Sequence, residues 1–158
     1  MKPTSPGVDP VIDAVLHASR ALVAVAARSL ALVADDVTLP QYRVLVLLAG
    51  RGPQGIAGLA ASLAVSPSTA TRMCDRLVHK GLVRRRTPPR DRRQVRLGLT
   101  EAGRRVVAEV TARRRAEIAR IVCAIPADDR DQLVKALDAF ARSAGELRDQ
   151  DWAAGWEL

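Results

Sequence analysis

The stretch from Leu59 to Thr100, LAASLAVSPSTATRMCDRLVHKGLVRRRTPPRDRRQVRLGLT, decides the fold. Two apolar sets share one spacing in and just before it: Ile56, Leu59, Ala60 and Leu63, then Ala70, Met73, Cys74 and Leu77. Each follows i, i+3, i+4, i+7, one face of an α-helix. Between them stand Val65, Ser66 and Pro67. Ser66 can accept from the free N–H groups of a new helix, and Pro67 suits its first position, where no N–H partner is needed. Two short helices joined by so brief a turn predict a helix-turn-helix. The other face of the second helix carries Ser68, Thr69, Thr71, Arg72, Asp75, Arg76 and His79. With hydroxyls first and arginines deeper in, such a face reaches base edges from its N-terminal residues and phosphates from the rest.

After Gly81, placed where a helix end favours a left-handed residue, the pattern changes to strands. Leu82 and Val83 lead into Arg84, Arg85 and Arg86, Pro88 and Pro89 turn the chain, and Gln94 to Leu99 alternates with period two. This predicts a β-hairpin with a polar tip, Pro88 to Arg93, the wing of a winged helix. Charge concentrates on the same segment. Residues 66–100 hold ten Lys or Arg (Arg72, Arg76, Lys80, Arg84, Arg85, Arg86, Arg90, Arg92, Arg93, Arg96) and two acids, Asp75 and Asp91, a net +8. The whole chain is also +8, so the remainder balances. A net charge confined to one segment is the footprint of a polyanion-binding surface.

These residues resemble the MarR family of bacterial winged-helix transcription factors. The likeness runs through Leu59 to Leu77, KGLVRR (Lys80 to Arg85), DRR (Asp91 to Arg93), LTEAG (Leu99 to Gly103) and TLPQYRVL (Thr38 to Leu45), and extends from about Val11 to Leu147. The resemblance implies a mostly α fold with a small β-hairpin wing. Each winged helix-turn-helix lobe would read half of a palindromic operator in double-stranded DNA, on a helical body that makes an obligate homodimer. It implies a transcriptional regulator, a repressor that a small-molecule effector releases. The DNA-contacting set is then Ser66, Ser68, Thr69, Thr71, Arg72, Arg76, Arg90, Asp91, Arg92 and Arg93. In the wing, Asp91 would fix the direction of Arg93 toward the minor groove; the bland alternative makes Asp91 a turn residue. The family's effector pocket lies between body and lobe, where His17, Arg20 and Tyr42 are candidates.

The rest of the 158-residue chain, 48% hydrophobic and 3% aromatic, suits an aliphatic helix bundle. The expected organisation is a flexible arm over 1–8, a dimerisation helix over 9–36, the lobe over 37–100 and C-terminal dimerisation helices over 101–158. Asp9 and Pro10 read as cap and first residue of the first helix, and Asp35 and Asp36 as its end. Thr38 caps the second helix, and residues 50–55 form the turn into the helix-turn-helix. Thr100 caps a long helix interrupted at Arg113 to Arg115 and stopped by Pro126. In the last helix Asp128, Asp129 and Asp131 favour the N-terminal dipole, and Leu133, Leu137, Phe140, Ala144 and Leu147 form a packing seam. Trp152 and Trp156 tie down the end.

Cys74 and Cys123 read as buried small hydrophobes rather than a disulfide framework or redox sensors. His17 and His79 are isolated, so no metal is expected, and no cofactor either. No apolar run reads as long enough to cross a bilayer, and no secretory leader is recognisable, so the expected location is cytoplasmic. An enzyme is disfavoured, because no nucleophile with a base and no glycine-rich phosphate loop is present. The competing reading is an architectural or non-specific nucleic-acid binder, which charge alone permits; the ratio of specific to non-specific affinity separates the two.

Overall fold

A computed structural model describes residues 7–86 and 95–146, and shows six helices with a two-stranded antiparallel sheet. In chain order these are α1 (Val8–Ala31), α2 (Leu39–Arg51), α3 (Ile56–Leu63), α4 (Pro67–His79), β1 (Val83–Arg86), β2 (Arg96–Leu99), α5 (Glu101–Cys123) and α6 (Ala127–Ser143). The wing tip, including Arg90, Asp91, Arg92 and Arg93, lies outside the described residues, as do Leu147, Trp152 and Trp156.

The core forms where α2 crosses α4, α5 and the sheet. Val44, Leu45, Leu59, Cys74, Leu77, Val83, Leu97 and Val110 are essentially sealed from solvent. α2 is held at its start by a reciprocal box: Thr38 accepts from the Gln41 N–H, and the Gln41 side chain accepts from the Thr38 N–H. The helix runs on through Gly50 and Arg51, two residues predicted as turn. Gln54, in the short connection that follows, exchanges two backbone hydrogen bonds with Leu97, at 2.9 and 2.7 Å. Leu97 and Leu99 pack into the core while Pro53 covers Gly98 on the other side, so all three are buried and the predicted alternation is lost. The turn between α3 and α4 passes through Ala64, a non-glycine residue at φ 53.

Several predicted boundaries move. The N-cap of α1 is Gly7, with Val8 already helical and Asp9 in the first turn. Pro10 fits there because first-turn N–H groups have no intrahelical acceptor. α1 ends at Ala31, short of Asp35 and Asp36, because the chain turns to bury Leu30 and Val37, while Asp36 forms an ion pair with Lys80. α5 is continuous through Arg113 to Arg115 and ends at Cys123. Pro126 is the N-cap of α6, and Arg130 donates to the carbonyls of Ile125 (3.0 Å) and Cys123 (3.1 Å), capping the end of α5. Cys123 is exposed there, contrary to its reading as a buried hydrophobe. Nor does the expectation that no run could span a bilayer hold. By length and composition α1 is long and apolar enough, with 24 residues and an 18-residue stretch of mean hydropathy 1.5. Its alanine and valine density meets that test, which a packed helix of the same composition also meets.

Candidate nucleic-acid interface

α4 is set in place from both ends. At its start Ser66 accepts from the Thr69 N–H at 3.2 Å, and Pro67 occupies the first helical position. At its end the Gly81 N–H donates to the Val78 carbonyl and the Leu82 N–H to that of Leu77, with Gly81 at φ 68. This pair of bonds needs a left-handed residue, which glycine supplies without steric cost. Along its inner side Ala70, Cys74 and Leu77 are completely buried.

The opposite side is the predicted reading face. Ser68, Arg72, Asp75, Arg76 and His79 are exposed, and Thr69 and Thr71 are half-buried. The hydroxyls divide in role. Ser66 is engaged with Ser68 and Thr69, both at 2.9 Å, and Thr71 donates to the Pro67 carbonyl at 2.8 Å. Arg72 reaches Thr69 Oγ1 only at 3.5 Å, and among the described residues no carboxylate pairs with Arg72 or Arg76. Their guanidinium donors face solvent. Five fixed donors per guanidinium match the acceptors of guanine or phosphate.

Asp75 is the acid on this face, and its partner is Arg85 of β1. Sequence reading counted both charges but did not join them. The pair ties the strand that leads to the wing against α4. The start of α5 locks the other side of the hairpin: Thr100 Oγ1 donates to the Gly81 carbonyl at 2.7 Å and accepts from the Gly103 N–H at 3.0 Å. The Thr100 N–H donates to Leu82 at 3.1 Å. Gly103 is required by contact, because a methyl there would overlap the Leu82 carbonyl oxygen. The run LTEAG is thus the clamp between α5 and the end of α4.

The effector candidates differ in burial. Tyr42 is buried and its hydroxyl has no hydrogen-bond partner among the described residues, whereas His17 and Arg20 lie on exposed positions of α1. Burial, and secondarily Asp75, pushes the Cys74 thiol up to about 11, with Arg85 acting against them, so Cys74 stays a neutral packing group. Among the described residues no cluster of His, Cys, Asp or Glu could hold a metal.

A sequence model of the MarR family matches residues 37–95. The Bacillus subtilis (strain 168) protein named HTH-type transcriptional repressor MdtR is 32% identical over 121 residues, covering 77% of this chain and 78% of that protein. The crystal structure of RV1404 from Mycobacterium tuberculosis superposes with a TM-score of 0.85 at 46% identity, over 92% of this chain and 99% of that one. A point mutant of S. aureus MepR bound to oligodeoxyribonucleotide shares the fold, with a TM-score of 0.62 at 20% identity, over 84% and 96% of the two chains. From capped recognition helix to clamped hairpin, the arrangement is a winged helix-turn-helix, and the chain belongs to the MarR family of transcriptional regulators.

Proposed function

We propose that the protein is a homodimeric, sequence-specific transcriptional repressor that places one α4 in the major groove of each half of a palindromic operator. The observation that carries this reading is the outer face of α4, where Arg72 and Arg76 stand exposed, without acid partners among the described residues, opposite the buried Ala70, Cys74 and Leu77. MepR, which shares the fold, is bound to an oligonucleotide in its structure. On this reading Arg72 reads a base, Arg76 contacts phosphate, and Asp91 holds Arg93 for the minor groove. The terminal helices α1, α5 and α6 form the dimer body, and residues 37–100 the reading lobe. Half-sites then lie about one helical turn apart, roughly 10 base pairs, or a multiple of it.

Release by a small molecule is supported by Tyr42, whose buried hydroxyl lacks a partner among the described residues. An unsatisfied buried donor costs on the order of 1–3 kcal/mol, which a ligand oxygen can offset. The reading implies a cytoplasmic protein acting on chromosomal DNA, without catalytic chemistry. Sequencing the DNA retained by the purified protein from a random pool tests it. Enrichment of an inverted repeat is expected; a pool retained with no enriched sequence favours the non-specific binder instead.

A further inference from the structure

The hairpin has an outer face that the site above does not use. Antiparallel partners point to the same side of a sheet. The register pairs Val83 with Leu99 and Arg85 with Leu97, so these four share the inner side: three are buried and Arg85 reaches Asp75. Arg84 paired with Gly98, and Arg86 paired with Arg96, then share the outer side. Pro53 covers Gly98 there, its Cγ 3.6 Å from where a Cβ would stand. Arg84, Arg86 and Arg96 are all exposed, with Arg86 directly opposite Arg96, and no described carboxylate pairs with any of the three. Like charges directly opposite across a ladder are destabilising.

We propose that this outer face grips the sugar-phosphate backbone of duplex DNA beside the half-site, and that phosphate relieves the repulsion between Arg86 and Arg96, so that hairpin stability and DNA binding are coupled. The inference rests on the DNA-binding reading above and adds residues and an energetic linkage to it. Charge complementarity selects a polyanion. Continuity selects DNA, because the strand carrying Arg84 and Arg86 is tied through Arg85 to Asp75 of the reading helix. Phosphate contacts carry no sequence information, so the face contributes equally on any duplex.

The test compares wild type, Arg86→Gln, Arg96→Gln, the double variant and, as a charge-matched control on α5, Arg115→Gln. The probes are a random-sequence duplex, the selected operator and poly-glutamate. Plots of log affinity against log salt concentration should flatten by about 0.9 for each hairpin arginine removed, on both duplexes alike, and Arg115→Gln should leave the slope unchanged. Without DNA, each single hairpin variant should melt at or above wild type at low salt, with the difference closing as salt screens the pair. Unchanged slopes, an equal flattening by Arg115→Gln, or hairpin variants that melt below wild type at low salt would each overturn the proposal. Loss of poly-glutamate binding with the DNA slopes intact would assign the face to an acidic protein instead, and also overturn it. A wild type that binds no duplex defeats this inference and the repressor reading together. A wild type that selects an operator while the hairpin variants keep its slope defeats this inference alone.

Discussion

Helices α4 and α6 both carry an apolar stripe at helical spacing, yet only α4 buries it. Ala70, Cys74 and Leu77 are 0% exposed, whereas α6 has no buried residue, and Val134, Leu137 and Phe140 are 59%, 51% and 55% exposed. The cover for α4 comes from its own chain, through α2, α3 and β1. α6 is instead pinned near its ends: Arg130 holds the end of α5, and beyond α6 Glu146 pairs with Arg43 while Arg51 donates to the Gly145 carbonyl. α1 shows the same contrast within one helix, burying Val25 and Leu30 while exposing Val11, Ile12, Leu16 and Val23. An apolar stripe therefore says that a face needs cover, but not where the cover comes from. On the reading proposed here, a second copy supplies it.

Replacing Leu137 and Phe140 together by Glu should break this comparison most sharply. Light scattering should fall to about the 17.0 kDa of one chain, and operator affinity should drop roughly 100-fold or more, because the second half-site no longer binds intramolecularly. The lobe should still melt cooperatively. A variant that stays dimeric would show that α6 is not the face a partner covers.

Gly103→Ala attacks the self-sufficient half. The added methyl meets the Leu82 carbonyl, and overpacking of this kind costs about 1–3 kcal/mol. Urea denaturation measures the loss, and wild-type stability would mean that the clamp between α5 and the end of α4 yields freely.

Arg72→Ala should cost about 1–3 kcal/mol on the operator and relax preference at one base pair per half-site, while Arg76→Ala should weaken all sequences alike and flatten the salt slope by about one. Binding isotherms on operator and random DNA distinguish the two. Equal loss on both duplexes for Arg72→Ala would make it a phosphate contact.

The cysteines offer the smallest effect. Exposed Cys123 should react with a thiol reagent in the folded protein, and buried Cys74 only on unfolding. The Cys74 thiol is raised from its ordinary 9.0 to about 11, chiefly by burial. Between those values the unfolded thiol ionises and the folded one does not, so rising pH favours unfolding. Wild type should accordingly lose more stability across that window than Cys74→Ala. Parallel pH profiles would remove the burial argument.

Much of the lobe was legible because its signals are local. Thr38, Ser66 and Thr100 cap helices through residues three positions on, and Gly81 turns the chain at the end of α4. The exposed side of α4 followed as the complement of its apolar stripe. Features that depend on distant partners were not legible. Asp36 reads as a helix stop yet pairs with Lys80, 44 positions away. Asp75 and Arg85 are joined only by the hairpin lying against α4. Cys123 shares an apolar neighbourhood in sequence but falls at the exposed end of α5.

By itself, then, the sequence determined where helices start and which residues of α4 stay polar, because capping bonds and the 3.6-residue period act within one or two turns. Tertiary structure alone decided the strain at Ala64, the edge pairing of Gln54 with Leu97 and the cover of Gly98 by Pro53, and the gathering of Arg84, Arg86 and Arg96 on one side. Each of these depends on a strand register or a crossing between segments far apart in the chain, and no local spacing encodes which side of a two-residue repeat will meet the core.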